Sequence, residues 1–262
     1  MLNDIIAITN EAGNMIKNFY RKDFGIEYKT NASNLVTEVD KKSEEIIVGF
    51  IKKKFPNHTI LAEESGLSDK NSDYVWIIDP LDGTTNFAHG LPFFSVSVAL
   101  TYKNEVIAGA VYDVMRDVMF SAEKGSGAFE NGNKIKVSSN TELEKSFLVT
   151  GFPYEFDDEQ ETIFRLFKNF ILKSRAVRRL GSAALDMCYV ATGIFDGFWE
   201  SSLNAWDICG AKIIIEEAGG EVLDYKGNLL EINTGKLKVL ATNKCITKKM
   251  LEIIQEHNNI LK

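Results

Sequence analysis

Apolar residues recur near helical spacing from the start of the chain, where Leu2, Ile5, Ile6, Ala12, Ile16 and Phe19 predict an amphipathic helix. The stretch "YKTNASNLV", residues 28–36, breaks that period with small polar residues and predicts a mobile loop. From Thr37 to Lys54 the period returns, with Ile46, Ile47, Phe50 and Ile51 on one face until Pro56 ends it. "TILAEESG" then reads as a short strand closing on acids, and Trp76, Ile77 and Ile78 as a buried strand stopped by Asp79-Pro80. The stretches "FFSVSVALTY", "EVIAGAVYDV", "VMFSAEKG" and "KIKV" alternate apolar and polar positions. Lys103-Asn104, Arg116-Asp117 and Asn131-Gly132 separate them, which predicts an antiparallel meander.

After about residue 145 strands and helices interleave: strand "SFLVTG", helix 158–172, strand "RAVRRL", helix "SAALDMCYVATG", strand "FDGFWES" and helix "AWDICGAKIIIEEAGG". Strands "EVLDY" and "KVLAT" and a final helix from Thr247 complete the chain. The expected class is α+β, built from layers of both elements. With no repeat and no Gly- and Ser-rich linker, residues 1–262 are expected to form a single domain. Its sub-regions are roughly 1–144, helices plus meander, and 145–262, mixed α/β.

Composition narrows the function. A chain of 262 residues, 45% apolar and 26% charged, has the length and balance for a substantial folded core. The net charge of −7 offers no general affinity for nucleic acid or membrane, but suits an acidic site that collects cations. Cys188, Cys209 and Cys245 lack metal-ligand spacing and stand in apolar stretches, so reduced core cysteines are expected. No basic stretch precedes an apolar run at the N-terminus and no segment is long enough to span a bilayer; a cytoplasmic protein is expected.

The candidate chemistry starts at "WIIDPLDGTTNFAHG", residues 76–90, where two acids sit at a strand's carboxyl end. Asp-Pro and Asp-Gly are common turn dipeptides, and Asp82 ahead of Gly83-Thr84-Thr85 also reads as a plain helix cap. The chemical reading has Pro80 holding Asp79 extended, so that both carboxylates and the Leu81 carbonyl converge as hard oxygen ligands suited to Mg²⁺. Gly83 and Thr84 N–H groups at a helix start would then cradle an anion. Glu63 and Glu64 lie at another strand end, where open sheets build sites, although paired acids there are also commonly solvated. Asp40 fits a capping box with Thr37; Asp207 begins an apolar helix and complements its dipole; Lys29 sits in the polar loop. His58, His89 and His257 have neither ligand nor relay spacing, which excludes zinc and serine-hydrolase readings.

Taken together, "ILAEES", "WIIDPLDGTTNF" and, far downstream, "WDICGAKIIIEEAGG" resemble the inositol monophosphatase family, whose first signature W-x-I-D-P-[IL]-D-G-T-x-N-[FY] is matched throughout. "NLVTEVDKKSE", "RRLGSAALDMCYVATG" and "DGFWE" follow in the family's order, so the resemblance spans nearly the whole chain. It implies the layered α-β-α-β-α sandwich of the sugar phosphatases and a Mg²⁺-dependent, Li⁺-sensitive phosphoric monoester hydrolase, with Mn²⁺ as a substitute ion. Glu63, Asp79 and the Leu81 carbonyl would hold one Mg²⁺; Asp79, Asp82 and Asp207 a second; Glu63 would share a third, mostly hydrated ion. Thr84 and Asp40, with Glu63, would be the catalytic residues, the first two positioning and deprotonating the attacking water without a covalent phosphoenzyme. Gly83 and Thr84 would neutralise phosphoryl oxygens, while Ala183, Glu200 and Asp207 match positions that contact a polyol, and Lys29 matches a mobile-loop lysine. A homodimer acting on a small phosphate ester, without nucleic-acid or membrane partners, completes the expectation.

Other classes remain open. An aspartyl-phosphate enzyme of the haloacid dehalogenase kind carries D-x-D-G-T, which "DPLDGT" resembles only superficially, with two residues between the acids. Some bacterial relatives of the family resemble RNA-polymerase-associated or ribosome-biogenesis accessories. Substrates such as fructose 1,6-bisphosphate or NADP(H) share the same metal set, since specificity lies in loops and pocket shape. The acidic loop 152–160 tilts the expectation towards monophosphates.

Overall fold

The computed structural model describes residues 1–28, 35–153, 160–233 and 235–258. Lys29 and most of the acidic loop 152–160 lie outside the described residues.

The first helix, α1 (Leu2–Phe19), buries Ile5, Ile8, Ala12 and Ile16, and a short hairpin β1 (Ile26–Tyr28) and β2 (Leu35–Thr37) follows. The hairpin occupies both ends of a stretch the sequence assigns to loop. Next come α2 (Glu38–Lys54), β3 (Thr59–Ala62), β4 (Gly66–Ser68), β5 (Tyr74–Asp82), the short α3 (Thr84–Ala88), β6 (Ser95–Tyr102), β7 (Glu105–Asp113) and β8 (Val118–Glu123). β9 (Ala128–Glu130) and β10 (Asn133–Lys134) finish the meander, the last being only two residues where "KIKV" suggested more. The second half contributes β11 (Phe147–Thr150), α4 (Gln160–Lys173), β12 (Ala176–Arg178), α5 (Ala183–Ala191), β13 (Gly197–Leu203), α6 (Ala205–Glu217), β14 (Glu221–Leu223), β15 (Leu237–Thr242) and α7 (Thr247–Asn258).

Strands β3 to β10 form one eight-stranded sheet in the order β10-β9-β8-β7-β6-β5-β3-β4, antiparallel except for the parallel β3–β5 pair. A second sheet runs β12-β11-β13-β15-β14. The two faces of the large sheet are apolar in alternation. Trp76, Ile78, Val96, Val98, Leu100, Ala108 and Ala110 pack with α1 and α2, whereas Ile77, Ala99 and Val111 pack with α5 and α6. The far sheet covers α5 and α6 with Val149, Phe198, Val239 and Ala241, and its outer face takes α4 and α7 through Leu166, Phe170, Met250 and Ile254. The layers are therefore α-β-α-β-α, as the resemblance implies.

Three local expectations are corrected. β5 does not stop at Asp79-Pro80; it continues to Asp82 through a register shift between Asp79 and Asp82 opposite β6. A bulge needs no ladder N–H from Pro80, and it adds twist where the acids must turn. On α2 the buried stripe is Val39, Asp40, Ser43, Glu44, Ile47 and Ile51, leaving Ile46 and Phe50 half-buried. Cys188 and Cys209 are core residues, but Cys245 is exposed in the turn between β15 and α7, where its N–H donates to Asn243 Oδ1 at 3.0 Å.

α6 reaches the large sheet by a glycine-to-glycine approach. A Cβ on Gly109 would meet Gly210 O at 3.0 Å, and one on Gly210 would meet Ser97 Oγ at 2.5 Å and Val111 Cγ2 at 3.1 Å. Helix propensity alone favours alanine over glycine by about 1 kcal/mol, whereas overpacking a closed contact costs about 1–3 kcal/mol. Gly210→Ala is therefore expected to lower stability by a net of up to about 2 kcal/mol in urea unfolding. An unchanged or raised midpoint would show that the helix can lift from the sheet freely.

Candidate active site

The parallel pair β3–β5 ends on acids, Glu63 just past β3 and Asp79 within β5. Alternation places Asp79 on the Ile77 side of the sheet, the side covered by α6, and α6 carries Asp207 in its first turn. Asp82 follows on the bulged end of β5. The four acids act on one another: burial pushes Asp79 well above the ordinary carboxylate range, followed by the like charges of Glu63, Asp82 and Asp207 and a hydrogen bond with Glu63. Asp82 is pushed up to about 6, by burial first, against donors from Ser182 and Ala184 that pull it down. Asp207 is pushed up to about 7, again by burial and then by Glu63, with Asn204 and Lys236 opposing.

Asp79, Asp82 and Asp207 are each held from behind. Asp79 Oδ1 accepts from Leu81 N–H at 3.0 Å. Asp82 Oδ2 takes Ala184 N–H at 2.9 Å, the Ser182 hydroxyl, and Ser95 Oγ at 3.4 Å. Ser182 is the N-cap of α5, so the helix start that includes Ala183 is fastened to the aspartate. Asp207 Oδ2 accepts from Asn204 N–H at 2.6 Å.

The two readings of Asp40 both hold, on different oxygens. Its Oδ2 closes the capping box, taking Thr37 N–H at 2.9 Å and the Thr37 hydroxyl. Its Oδ1 stands 2.9 Å from Thr84 Oγ1, which is also 2.9 Å from the Leu81 carbonyl. A hydroxyl has one proton to give to those two acceptors, and its lone pairs remain available to a water or substrate. Burial pushes Asp40 up to about 6, with Glu63 adding to it and the Thr37 and Thr84 donors opposing.

Gly83 precedes α3 with φ +88°, and a Cβ there would meet the carbonyl oxygens of Gly181 and Phe93 at 3.1 Å. The position thus requires glycine twice over, for its backbone conformation and for the close approach of two other segments. Glu200, on β13 of the second sheet, is buried and pushed up to about 8 by burial and then by Asp207, with Arg179 opposing. Its carboxylate lies against Gly151, where a Cβ would come within 2.1 Å of Oε2.

Three residues of α2 reach the site together. Asp40 touches Thr84; Ser43 Oγ donates to Pro80 O at 2.7 Å; Glu44 accepts from Glu64 N–H at 2.8 Å and Ser65 N–H at 2.9 Å. Ser43, Glu44, Ser182 and Asn204 were not singled out from the sequence. The i, i+3, i+4 spacing of Asp40, Ser43 and Glu44 on a stripe that continues as Ile47 and Ile51 was the available signal for the first two. The "GSAALD" helix start was the signal for Ser182.

Among the described residues no group of three or more His, Cys, Asp or Glu side chains is already closed around a single point. The donor set nevertheless fits a hydrated hard dication, because Mg²⁺ characteristically takes one or two carboxylates and completes its octahedron with waters and substrate oxygens. Buried acids that raise one another's proton affinity are resolved either by protons or by a cation.

A profile described as "Inositol monophosphatase family" matches residues 1–259. The chain is 42% identical over 257 residues to the Nus factor SuhB of Pasteurella multocida, covering 97% of this chain and 96% of that one. It is 43% identical over 267 residues to the chloroplastic phosphatase IMPL1 of Arabidopsis thaliana, covering 99% of this chain and 71% of the relative. The solved inositol monophosphatase of Anabaena (Nostoc) sp. PCC 7120 superposes with a TM-score of 0.86 at 39% identity, covering 97% of this chain and 95% of that one. The protein, with its acids gathered at the ends of β3 and β5 and the start of α6, belongs to the inositol monophosphatase family.

Proposed function

We propose that the protein is a Mg²⁺-dependent phosphomonoesterase acting on inositol monophosphate or a similar small sugar phosphate. The observation that supports it most is the facing of Glu63, Asp79, Asp82 and Asp207 beside the Thr84–Asp40 hydrogen bond. In this reading Glu63, Asp79 and the Leu81 carbonyl hold one cation, Asp79, Asp82 and Asp207 a second, and Glu63 a hydrated third. Bound dications supply a more acidic water and neutralise charge on the phosphoryl and leaving oxygens.

The chain's own groups then act as follows. Thr84 Oγ1 gives its proton to Asp40 Oδ1 and accepts one from the attacking water, so the proton ends on a carboxylate already raised to about 6. Gly83 and Thr84 N–H groups face the phosphoryl oxygens, where preformed dipoles stabilise developing charge. Glu200 and the Ala183 backbone meet the hydroxyls of the alcohol portion. The Glu200 carboxyl, held near its protonated form at neutral pH, both donates and accepts there.

A second reading, an accessory role in transcription or ribosome biogenesis, has one specific support: the relative in Pasteurella multocida bears the name Nus factor. Asp82→Asn separates the two, since it removes a cation ligand while leaving the outer surface intact.

Phosphate release from inositol 1-phosphate, fructose 1,6-bisphosphate and NADP⁺, each with and without Mg²⁺, tests the main reading. The monophosphate is expected to be the best substrate, and Li⁺ is expected to inhibit by taking a Mg²⁺ position without supporting the chemistry. Release that ignores both Mg²⁺ and Li⁺ would sink the proposal. Thr84→Val is expected to lower kcat by about 10²–10⁴-fold with little change in KM, the scale of a lost proton relay. A loss confined to KM would assign Thr84 to binding instead.

The buried acids also set a pH dependence. Their folded-state proton affinities lie above the unfolded values, so the metal-free fold has its full carboxylate contribution below the ordinary range. That contribution is lost as pH rises through about 6 for Asp40 and Asp82, about 7 for Asp207 and about 8 for Glu200. In EDTA the Tm is therefore expected to fall from pH 5 to pH 8, and added Mg²⁺ to raise it more at pH 8 than at pH 5. A Mg²⁺ effect independent of pH would argue against cation binding at these acids.

A further inference from the structure

We propose that Lys236 and Asn204 are positioning residues for Asp207, with the lysine acting through the asparagine. Lys236 lies on the exposed approach to β15, and its Nζ donates to Asn204 Oδ1 at 3.0 Å. Asn204, the residue ahead of α6, donates in turn to a single oxygen of Asp207. Its N–H stands 2.6 Å and its side-chain Nδ2 3.2 Å from Oδ2.

An amide side chain carries its acceptor and its donors at opposite ends, so fixing one end fixes the other. An ammonium on Oδ1 commits the Nδ2 end to the carboxylate; without it the amide is free to flip and turn a carbonyl towards Asp207. With Oδ2 clamped by two donors, the carboxylate plane is set and Oδ1 is turned away from the clamp. Groups behind a metal ligand of this kind govern its orientation and thereby the affinity for the ion. Nothing in the residue types at 204 and 236 alone reveals the link, since 32 positions separate them.

This inference rests on the cation reading above, and its test uses binding of Mn²⁺ alone to the metal-free full chain, followed by the electron paramagnetic resonance of the free ion. Asn204→Ala is expected to weaken Mn²⁺ about tenfold, the lower end of outer-residue effects at metal sites, and Lys236→Met, one residue further out, about threefold to tenfold. Lys236→Arg, which keeps the donor, is expected to stay within about twofold of wild type. The double variant is expected to bind no more weakly than Asn204→Ala, because the amide through which the lysine sets the carboxylate is gone. The positioning role is overturned if Lys236→Met binds like wild type while the wild type takes up Mn²⁺. It is equally overturned if the lysine's effect multiplies that of Asn204→Ala, which would mark a through-space charge effect. A wild-type chain that takes up no Mn²⁺ overturns the cation reading and this inference together. Circular dichroism of each variant checks that α6 stays folded, and a loss of helix with normal Mn²⁺ affinity also counts against the proposal.

Discussion

The burial of like charges is the constraint around which this molecule is arranged. Asp79 is 2% exposed and Asp82 9%, and both feel Glu63. At an effective dielectric near 20, two unit charges about 4 Å apart repel by about 4 kcal/mol, a large fraction of a domain's total stability. Such a cluster persists only if protons or cations occupy it and if the scaffold fixes each carboxylate so that repulsion cannot simply push them apart. The donors on Asp82 Oδ2, Asp207 Oδ2 and Asp40 Oδ2 provide that fixing, in each case converging on one oxygen.

Much of the fixing comes from α2. Its buried stripe is polar for one turn, Asp40, Ser43 and Glu44, and apolar thereafter, Ile47 and Ile51. The apolar part seats the helix against Trp76 and Ile78 of β5, while the polar part grips Thr84, Pro80 and the turn after Glu63. One rigid element thus holds three points of the site at once, and the hydrophobic core beneath sets their spacing. Ser43 also accounts for how β5 runs on past Pro80. It gives the proline carbonyl a donor, while the missing proline N–H falls at a bulge that does not call for one.

The sequence made the acids legible because each stands where local chemistry already singles it out, at a strand end, a turn dipeptide or a helix start. The alternating strands from Ser95 to Glu123 and the layered class were legible for the same reason, since their periodicity is local. What holds the acids was not legible. Ser182 reaches Asp82 across 100 positions and Lys236 reaches Asn204 across 32, and no local pattern encodes either meeting. The strand boundary at Asp79-Pro80 was misplaced because proline was read as a stop, whereas pairing with β6 overrode that preference. Hydropathy puts Ile46 and Phe50 on one face with Ile47 and Ile51, but the helix is turned so that Asp40, Ser43 and Glu44 share the buried stripe instead. Apolar neighbours place Cys245 in the core, yet it occupies a turn in which Asn243 Oδ1 accepts from the N–H groups of Cys245 and Ile246.

The central helical layer links the two sheets physically. Glu63, Asp79 and Asp82 come from the large sheet, Glu200 from the smaller one, and Asp207 from α6 between them. α6 contacts the large sheet through Gly210 and Gly109, a close backbone approach flanked by Ser97, Val111 and Ile213 with no space for an added Cβ. α5 is tied to Asp82 by its own first turn. Displacement of either helix would therefore move an acid of the charged cluster relative to Glu200, across a closely packed core that deforms little. In the proposed reading, the cation-holding acids come from the large sheet and α6, and the carboxyl offered to the alcohol portion of a substrate from the smaller sheet. On that reading the wall carrying Glu200 could change shape without moving Glu63, Asp79 or Asp82, which α2 and β5 anchor separately.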